Sequence, residues 1–190
     1  MSDIWISPKY RLRDWTELTF QTEDEWLRAA AIVEDRIKGR FVNWIDRVVD
    51  EPFSGFAVVA LDCLFLETLV GFQTGHSTTD TKSAYKQLLA NSSHFGFEEK
   101  TALAFYENVR NGIIHDTETR KKWIIRMAEP AGKIVQSDAE GNFVLYRTKF
   151  HKALKAELED WLSRIRNGDR TARERMRTRM QEILDRHFAQ

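Results

Sequence analysis

The stretch FYENVRNGIIHDTET, residues 105–119, is the segment from which both fold and function are inferred. It holds Arg110 and, five positions later, His115, with Gly112 between them. An arginine guanidinium is planar and permanently charged, and it can grip a phosphate at two points. Histidine exchanges protons near neutral pH. The pair therefore suits chemistry on a phosphodiester.

Helix geometry constrains how these two side chains can meet. Five residues of a regular helix advance by about 7.5 Å and turn by about 140°, so Arg110 and His115 diverge on an unbroken helix. Gly112 weakens the helix between them. We therefore expect the helix to bend or end near Gly112, or a second subunit to complete the site. The alternative is structural: Arg110 pairs with Glu107 one turn earlier, and His115 caps a helix end.

Residues 110–115, RNGIIH, resemble the RX4-6H motif of HEPN domains, in the form with a polar residue directly after the arginine. An aromatic-rich segment, 104–106, leads into the motif, and a polar stretch with Glu118 and Thr119 follows it. The long apolar segment before it contains LETL at 66–69, as many members of the family do. The resemblance spans roughly residues 22 to 162.

The resemblance implies an all-α, up-and-down helical bundle and a metal-independent endoribonuclease. Such enzymes usually act as homodimers with a composite active site, and the cleavage is expected to leave a 2′,3′-cyclic phosphate. His115 would assist proton transfer, Arg110 would hold the phosphate, and Asn111 would bind the phosphate or fix the histidine. Family members are commonly toxins or anti-phage defence effectors, so an antitoxin or a defence-system partner protein is a further expectation.

Length and composition fit one globular domain, with 190 residues of which 42% are apolar and 31% are charged. The net charge is zero, so any contact with RNA must come from a local patch. The single cysteine, Cys63, lies in an apolar run and cannot form an internal disulfide. We find no histidine pair, cysteine cluster or DxD carboxylates, and we expect neither a metal nor a cofactor.

The longest apolar run, residues 56–72, is interrupted by Asp62 and Glu67. We expect a central core helix that is too short and too polar to span a bilayer, in a cytoplasmic protein without a leader. The two carboxylates either lie on a narrow exposed seam or cap neighbouring donors. The alternative is that Glu67 reaches Arg110 or His115 and orients it.

Apolar periodicity and cap residues predict the elements around the motif. We expect an extended N-terminal arm over residues 1–21 and one helical domain over 22–190. Short β-type runs predict a hairpin or meander inserted at about 122–147, with a turn at 138–141. Helices are expected from 22 to about 48, over 55–73, over 82–90, from about 97 through the motif, from 148 to a break at 167–169, and over about 169–188.

Seven arginines crowd residues 164–179, against only Asp169 and Glu174. They would suit a path for an RNA backbone, because arginine binds phosphate well. The alternatives are a solvated helix face whose arginine stems cover apolar surface, or a charged subunit contact. The residues predicted to bind RNA are Arg166, Arg170, Arg173 and Arg177.

The residues also leave a second class of function open. In it the chain is a non-catalytic helical module, and Arg110, His115 and the basic tail hold a nucleotide, an RNA or a partner protein. A monomer with Arg110 in an internal ion pair would favour this module. A two-fold dimer with both His115 side chains facing one cleft would favour the nuclease.

Overall fold

The computed structural model describes residues 4–77, 80–127 and 132–188, with side chains up to residue 186. These residues form seven helices and one three-stranded sheet. Two of the helices contain a π-helical turn. The helices are α1 (Leu12–Thr16), α2 (Glu23–Ile37, π-helical Lys38–Val42 and Asn43–Val48), α3 (Gly55–Thr74), α4 (Thr81–Asn91), α5 (Glu99–Phe105, π-helical Tyr106–Arg110 and Asn111–Asp116), α6 (Arg147–Arg166) and α7 (Arg170–Phe188); the strands are β1 (Trp123–Arg126), β2 (Val135–Ser137) and β3 (Phe143–Tyr146).

The helix α3 is the centre of the fold, because it is apolar nearly all round and must be covered on every side. It packs against α2, α4, α6 and α7, and it also contacts α5 and β1. The expectation that this segment is too short and too polar to span a bilayer is wrong, since by length and composition it is able to do so. However, 61% of its apolar window is buried inside the protein. Its packing accounts for its hydrophobicity, and the cytoplasmic location stays a prediction.

The mostly helical character and the small sheet after the motif helix are as the sequence predicts. β2 and β3 form the expected hairpin, closed by a hydrogen bond of 3.0 Å from the Asp138 N–H to the Asn142 carbonyl. β1 differs from a meander, because it pairs in parallel with the other edge of β3, giving the order β1-β3-β2. Trp123 on β1 stacks on Phe143 of β3 with ring centroids 5.1 Å apart, and this aromatic pair fixes the parallel register.

The N-terminal segment is less extended than the sequence suggests. It contains α1, and Trp15 on that helix is only 1% exposed. The Trp15 ring meets Phe20 edge-on at 5.4 Å, and the guanidinium of Arg36 donates a hydrogen bond to the carbonyl of Ile6. These contacts make residues 4–21 part of the core layer, which explains the many aromatic residues among them.

A buried pair of titratable groups joins α3 to α6. Asp62 is fully buried, and its Oδ1 lies 2.7 Å from Nδ1 of His151, which is 2% exposed. Nε2 of His151 lies 3.2 Å from Asp46, and Lys155 holds the same carboxylate at 2.8 Å. Burial raises the pKa of Asp62 to about 6, although His151 partly offsets the rise. Both ring nitrogens of His151 are engaged, so this histidine is a structural group.

Replacing only one member of the pair should be costly. We expect His151→Leu to lower the free energy of unfolding by about 3–5 kcal/mol, because Asp62 is left buried without its partner. The double variant Asp62→Leu/His151→Leu should be more stable than His151→Leu alone, since no buried charge remains. Urea unfolding at a pH above 7 measures both. Lys155→Met serves as the control, because Lys155 pairs with Asp46 at the exposed end of this group, and it should lower the free energy of unfolding by no more than about 1 kcal/mol. A double variant that is less stable than His151→Leu would contradict the argument.

Candidate active site

The RNGIIH motif lies on α5, directly after a π-helical turn. Hydrogen bonds in a π turn run from residue i to i+5, so Tyr106–Arg110 accommodates an extra residue, an arrangement that is frequent at functional sites. Arg110 closes this turn, and its side chain points to α3. The sequence predicts Ala102, Phe105, Tyr106, Val109 and Ile113 as the core stripe of α5; all are buried except Tyr106, which is half-buried.

Arg110 is held by a carboxylate from the central helix. Its Nε and Nη2 donate to Oε1 of Glu67 at 2.9 and 2.5 Å, and its Nη1 donates to Oδ1 of Asn111 at 3.1 Å. The side chains of Arg110 and Glu67 are 17% and 27% exposed. A guanidinium carries five N–H donors; Glu67 and Asn111 engage three of them, and the Tyr85 hydroxyl also lies within hydrogen-bonding reach of the group.

The surroundings of Arg110 keep it both oriented and charged. Burial disfavours its charge, but the hydrogen bonds and charge of Glu67 outweigh this effect and raise the pKa of Arg110 above its usual value. The guanidinium also lies 5.5 Å from the centre of the Tyr106 ring. Beneath it, the Tyr85 hydroxyl donates to the Cys63 carbonyl at 2.6 Å. Cys63 is buried, and burial raises the pKa of its thiol, so little of the reactive thiolate forms near neutral pH.

His115 stands apart from Arg110, and Asn111 connects the two positions. Asn111 and His115 are four residues apart in a regular helical segment, so their Cβ atoms lie roughly 5–6 Å from each other on one face. His115 is exposed and forms no hydrogen bond with any residue that the structure describes. Within one chain, no hydrogen bond or ion pair joins Arg110 to His115 over the described residues. The result is a polar row, which we name the Glu67–His115 row: Glu67, Arg110, Asn111 and His115.

Gly112 has a different role from the one expected. The helix neither ends nor is interrupted there, since it continues to Asp116 and stops at Thr117, whose φ is +56°. The chain then turns back over α5, and the Arg120 N–H donates to the Asn108 carbonyl at 2.8 Å. A Cβ on Gly112 would lie 2.4 Å from the Glu118 carbonyl oxygen. Gly112 therefore permits close backbone contact.

The structural alternative for the motif is also wrong in its pairing. Glu107 forms its ion pair with Lys82 at 2.7 Å, and Arg110 pairs with Glu67 instead. The expectation that Glu67 reaches Arg110 is thus confirmed as a contact. The catalytic role of each residue stays a prediction.

Exposed apolar side chains flank the Glu67–His115 row on two helices. Leu64, one turn before Glu67 on α3, is 44% exposed, and Ile114, one turn after Arg110 on α5, is 41% exposed. Phe56, further along the same α3 surface, is 40% exposed. Such clustering around polar groups is typical of an interaction surface.

The four arginines predicted to bind RNA have unequal surroundings. Arg173 is buried, donating to the Ile165 carbonyl at 2.8 Å and pairing with Glu23, and the guanidinium of Arg166 pairs with Glu34. Arg177 lies 4.7 Å from the Phe20 ring centre. Arg170 is exposed and has no hydrogen bond or ion pair among the described residues. Arg170 therefore has the least engaged charge of the four, and RNA binding by this helix stays a prediction.

Comparison of the chain with protein-family models, curated proteins and solved structures gave no match. Over the described ranges, no group of three or more histidine, cysteine or acidic residues is arranged to hold a metal ion. Sequence reasoning missed Tyr85 and His151, because their partners are distant in the sequence. Tyr106 lies in the aromatic segment that leads into the motif, but its contact with Arg110 was not predicted. The functional argument thus depends on the motif and on the geometry around Arg110.

The close contact at Gly112 gives a prediction with an unusual sign. In an open helix, Gly→Ala stabilises by roughly 0.5–1 kcal/mol. We expect Gly112→Ala to destabilise the protein instead, by about 1–3 kcal/mol, because the new methyl group meets the Glu118 carbonyl oxygen. Thermal unfolding monitored by circular dichroism provides the measurement. A rise in melting temperature would show that the backbone over Gly112 yields freely.

Proposed function

We propose that this protein has a HEPN-like helical bundle and is a metal-independent endoribonuclease. The observation that carries the proposal is a guanidinium that Glu67 and Asn111 hold in a fixed orientation, with Asn111 lying one helical turn before an exposed histidine. Donors held in place before the reaction stabilise developing charge at little cost in reorganisation. The substrate class is RNA, because the chemistry uses a neighbouring 2′-hydroxyl.

In the proposed reaction, the 2′-oxygen of a ribose attacks the adjacent phosphorus and the bond from phosphorus to the 5′-oxygen breaks. His115 assists removal of the proton from the 2′-hydroxyl, and the departing 5′-oxygen gains a proton in exchange, returned by His115 or delivered by water. Arg110 binds a non-bridging oxygen and stabilises its growing negative charge, while Asn111 holds the guanidinium and orients the phosphate. The products are a 2′,3′-cyclic phosphate and a free 5′-hydroxyl group.

The working form in this proposal is a homodimer with a composite active site. Within a single chain, no hydrogen bond or ion pair joins His115 to Arg110 among the described residues. The exposed apolar side chains of Leu64 and Ile114 border the Glu67–His115 row. A second copy seated on this surface would cover both apolar groups and bring a second arginine and histidine to the same cleft. By resemblance, we place the protein among cytoplasmic toxins or defence effectors, with an antitoxin or a defence-system protein as a further partner.

A second function is favoured by one specific observation. Arg110 forms an ion pair with Glu67 inside the chain, as expected of a non-catalytic module that holds a nucleotide, an RNA or a protein. The two functions differ in whether His115 is needed for turnover, which an activity assay decides.

We expect Arg110→Ala and His115→Ala each to lower the rate of RNA cleavage by about 10²-fold or more, since each removes one charge-stabilising or proton-transferring group. Cleavage of single-stranded RNA is followed on gels in the presence of EDTA, with the 2′,3′-cyclic end identified by mass spectrometry. His76→Ala and Arg13→Ala are matched controls, because both residues are exposed and lie outside the row. Activity that vanishes in EDTA, or that persists in both row variants, refutes the scheme.

We expect Leu64→Glu to convert the dimer to monomers and to abolish cleavage, because it places a charge in the apolar surface beside the row. Light scattering after size-exclusion chromatography measures the mass, and the same RNA assay measures activity. Leu27→Glu is the control, since Leu27 on α2 is similarly exposed, at 39%, but far along the chain from the row. A wild-type protein that is monomeric and still cleaves RNA would exclude the composite site.

A further inference from the structure

A large cleft lies between α5, the sheet and the turn before α5. Its volume is about 950 Å³, which lies within the range of small-molecule sites. Glu107 and Asn108, on the π turn that ends with Arg110, line one wall. The cleft and the Glu67–His115 row therefore share one helical turn.

The interior of the cleft is aromatic. Phe97, Trp123 and Phe143 all line it. The Phe143 ring is packed nearly parallel to Trp123, with an interplanar angle of 18°, and it keeps part of its surface exposed. An aromatic ring fixed in this way provides a face on which a planar ligand can stack.

The rim of the cleft carries an excess of positive charge. Lys100, Lys121 and Lys133 line it, and none of them forms a hydrogen bond or a close ion pair within the ranges that the structure describes. Among the described residues, two carboxylates also line the cleft, Glu98 and Glu107. Glu107 pairs with Lys82 and lies within the electrostatic reach of Lys121, so the three lysines of the rim still outnumber the carboxylates. An anionic group would therefore be attracted to this rim.

A buried amide adds a group able to bind a base edge. Asn108 is 6% exposed, and its Nδ2 donates to the Ala104 carbonyl at 2.9 Å. Its Oδ1 accepts no hydrogen bond from the described residues, although the residue lines the cleft. Amide oxygens accept hydrogen bonds from exocyclic amino groups of bases.

We propose that this cleft binds a nucleotide, with its base against Phe143 and its phosphate at the rim formed by Lys100, Lys121 and Lys133. An aromatic face, an amide acceptor and uncompensated ammonium groups together match a planar base joined to an anion. The nucleotide comes either from a single-stranded RNA or from a free pool. The RNA source rests on the proposed ribonuclease function, since an RNA at the row would extend into the cleft beside it.

The test measures binding by isothermal titration calorimetry with two probes: a short single-stranded 2′-O-methyl RNA, which has no free 2′-hydroxyl to attack, and adenosine monophosphate. We expect Lys121→Glu to weaken binding by about tenfold or more and to lower the salt dependence. Lys122→Glu should change affinity by less than about twofold. Lys122 is a matched control, because both lysines have left-handed backbones, with φ of +47° and +63°, but only Lys121 lines the cleft.

A second variant tests the base separately from the phosphate. Phe143→Leu keeps an apolar side chain but removes the aromatic face, and we expect it to weaken binding by about tenfold. Circular dichroism confirms that the variant is folded. If it is not, Lys121→Glu and Lys122→Glu still decide the question, because both residues are exposed.

The outcomes separate the two sources and the two proposals. Equal sensitivity of RNA and adenosine monophosphate to Lys121→Glu supports a free nucleotide, and sensitivity of RNA alone supports the RNA strand. Three results would contradict nucleotide binding in the cleft. They are an affinity that Lys121→Glu leaves unchanged, an equal loss of affinity in Lys122→Glu, and the absence of binding of either probe. If RNA cleavage requires His115 but Lys121→Glu does not change binding, the ribonuclease proposal stands and the proposal of nucleotide binding in the cleft is wrong. If Lys121→Glu weakens binding but no cleavage is found, the cleft proposal stands and the ribonuclease proposal is wrong.

Discussion

The whole structure depends on how one apolar helix accommodates two carboxylates. α3 lies at the centre of the fold, and its hydrophobic surface is what the other helices cover. Yet Asp62 and Glu67 are part of it, and a buried carboxylate without a partner costs several kcal/mol. The positions of α5 and α6 satisfy this requirement, because α6 supplies His151 to Asp62 and α5 supplies Arg110 to Glu67. The contacts of α3 with α5 and α6 therefore depend on pairing of charged groups as well as on apolar packing.

The two carboxylates have different consequences because their burial differs. Asp62 is fully buried, both nitrogens of His151 are used, and the group ends in an exposed Asp46–Lys155 pair. That arrangement connects elements and leaves His151 no free ring nitrogen, while Oδ2 of Asp62 has no hydrogen-bond partner among the described residues. Glu67 lies nearer the surface, and the side chain of Arg110 that it holds is 17% exposed. The same physical requirement thus makes a structural link at Asp62 and a candidate site at Glu67, five residues further along α3.

Much of this could be predicted from local sequence patterns, and the rest depends on partners that are remote in the chain. Helix positions follow from apolar spacing and caps, and the contact between Glu67 and Arg110 follows from the need of a carboxylate for a cation. His151 is 89 positions from Asp62, and no local pattern connects them. The π turns escape prediction because their extra residue leaves the apolar stripe recognisable. Gly112 was misinterpreted as a weak point in the helix, since the backbone that approaches it folds back only after Thr117.

Charge balance shows how binding and chemistry are divided in the proposed site. Arg110 is paired with Glu67, and the neighbouring Lys82 is paired with Glu107. In the proposed scheme the row would therefore orient a phosphate but carry little net charge to attract one. A polyanion is drawn by uncompensated charge, which lies instead on the lysines of the neighbouring cleft. The π turn joins the two, because Asn108 faces the cleft and Arg110, two residues later, faces α3. A strand held by the lysines would therefore reach a guanidinium whose orientation is already fixed, so the affinity for RNA and the rate of its cleavage can be altered by different residues.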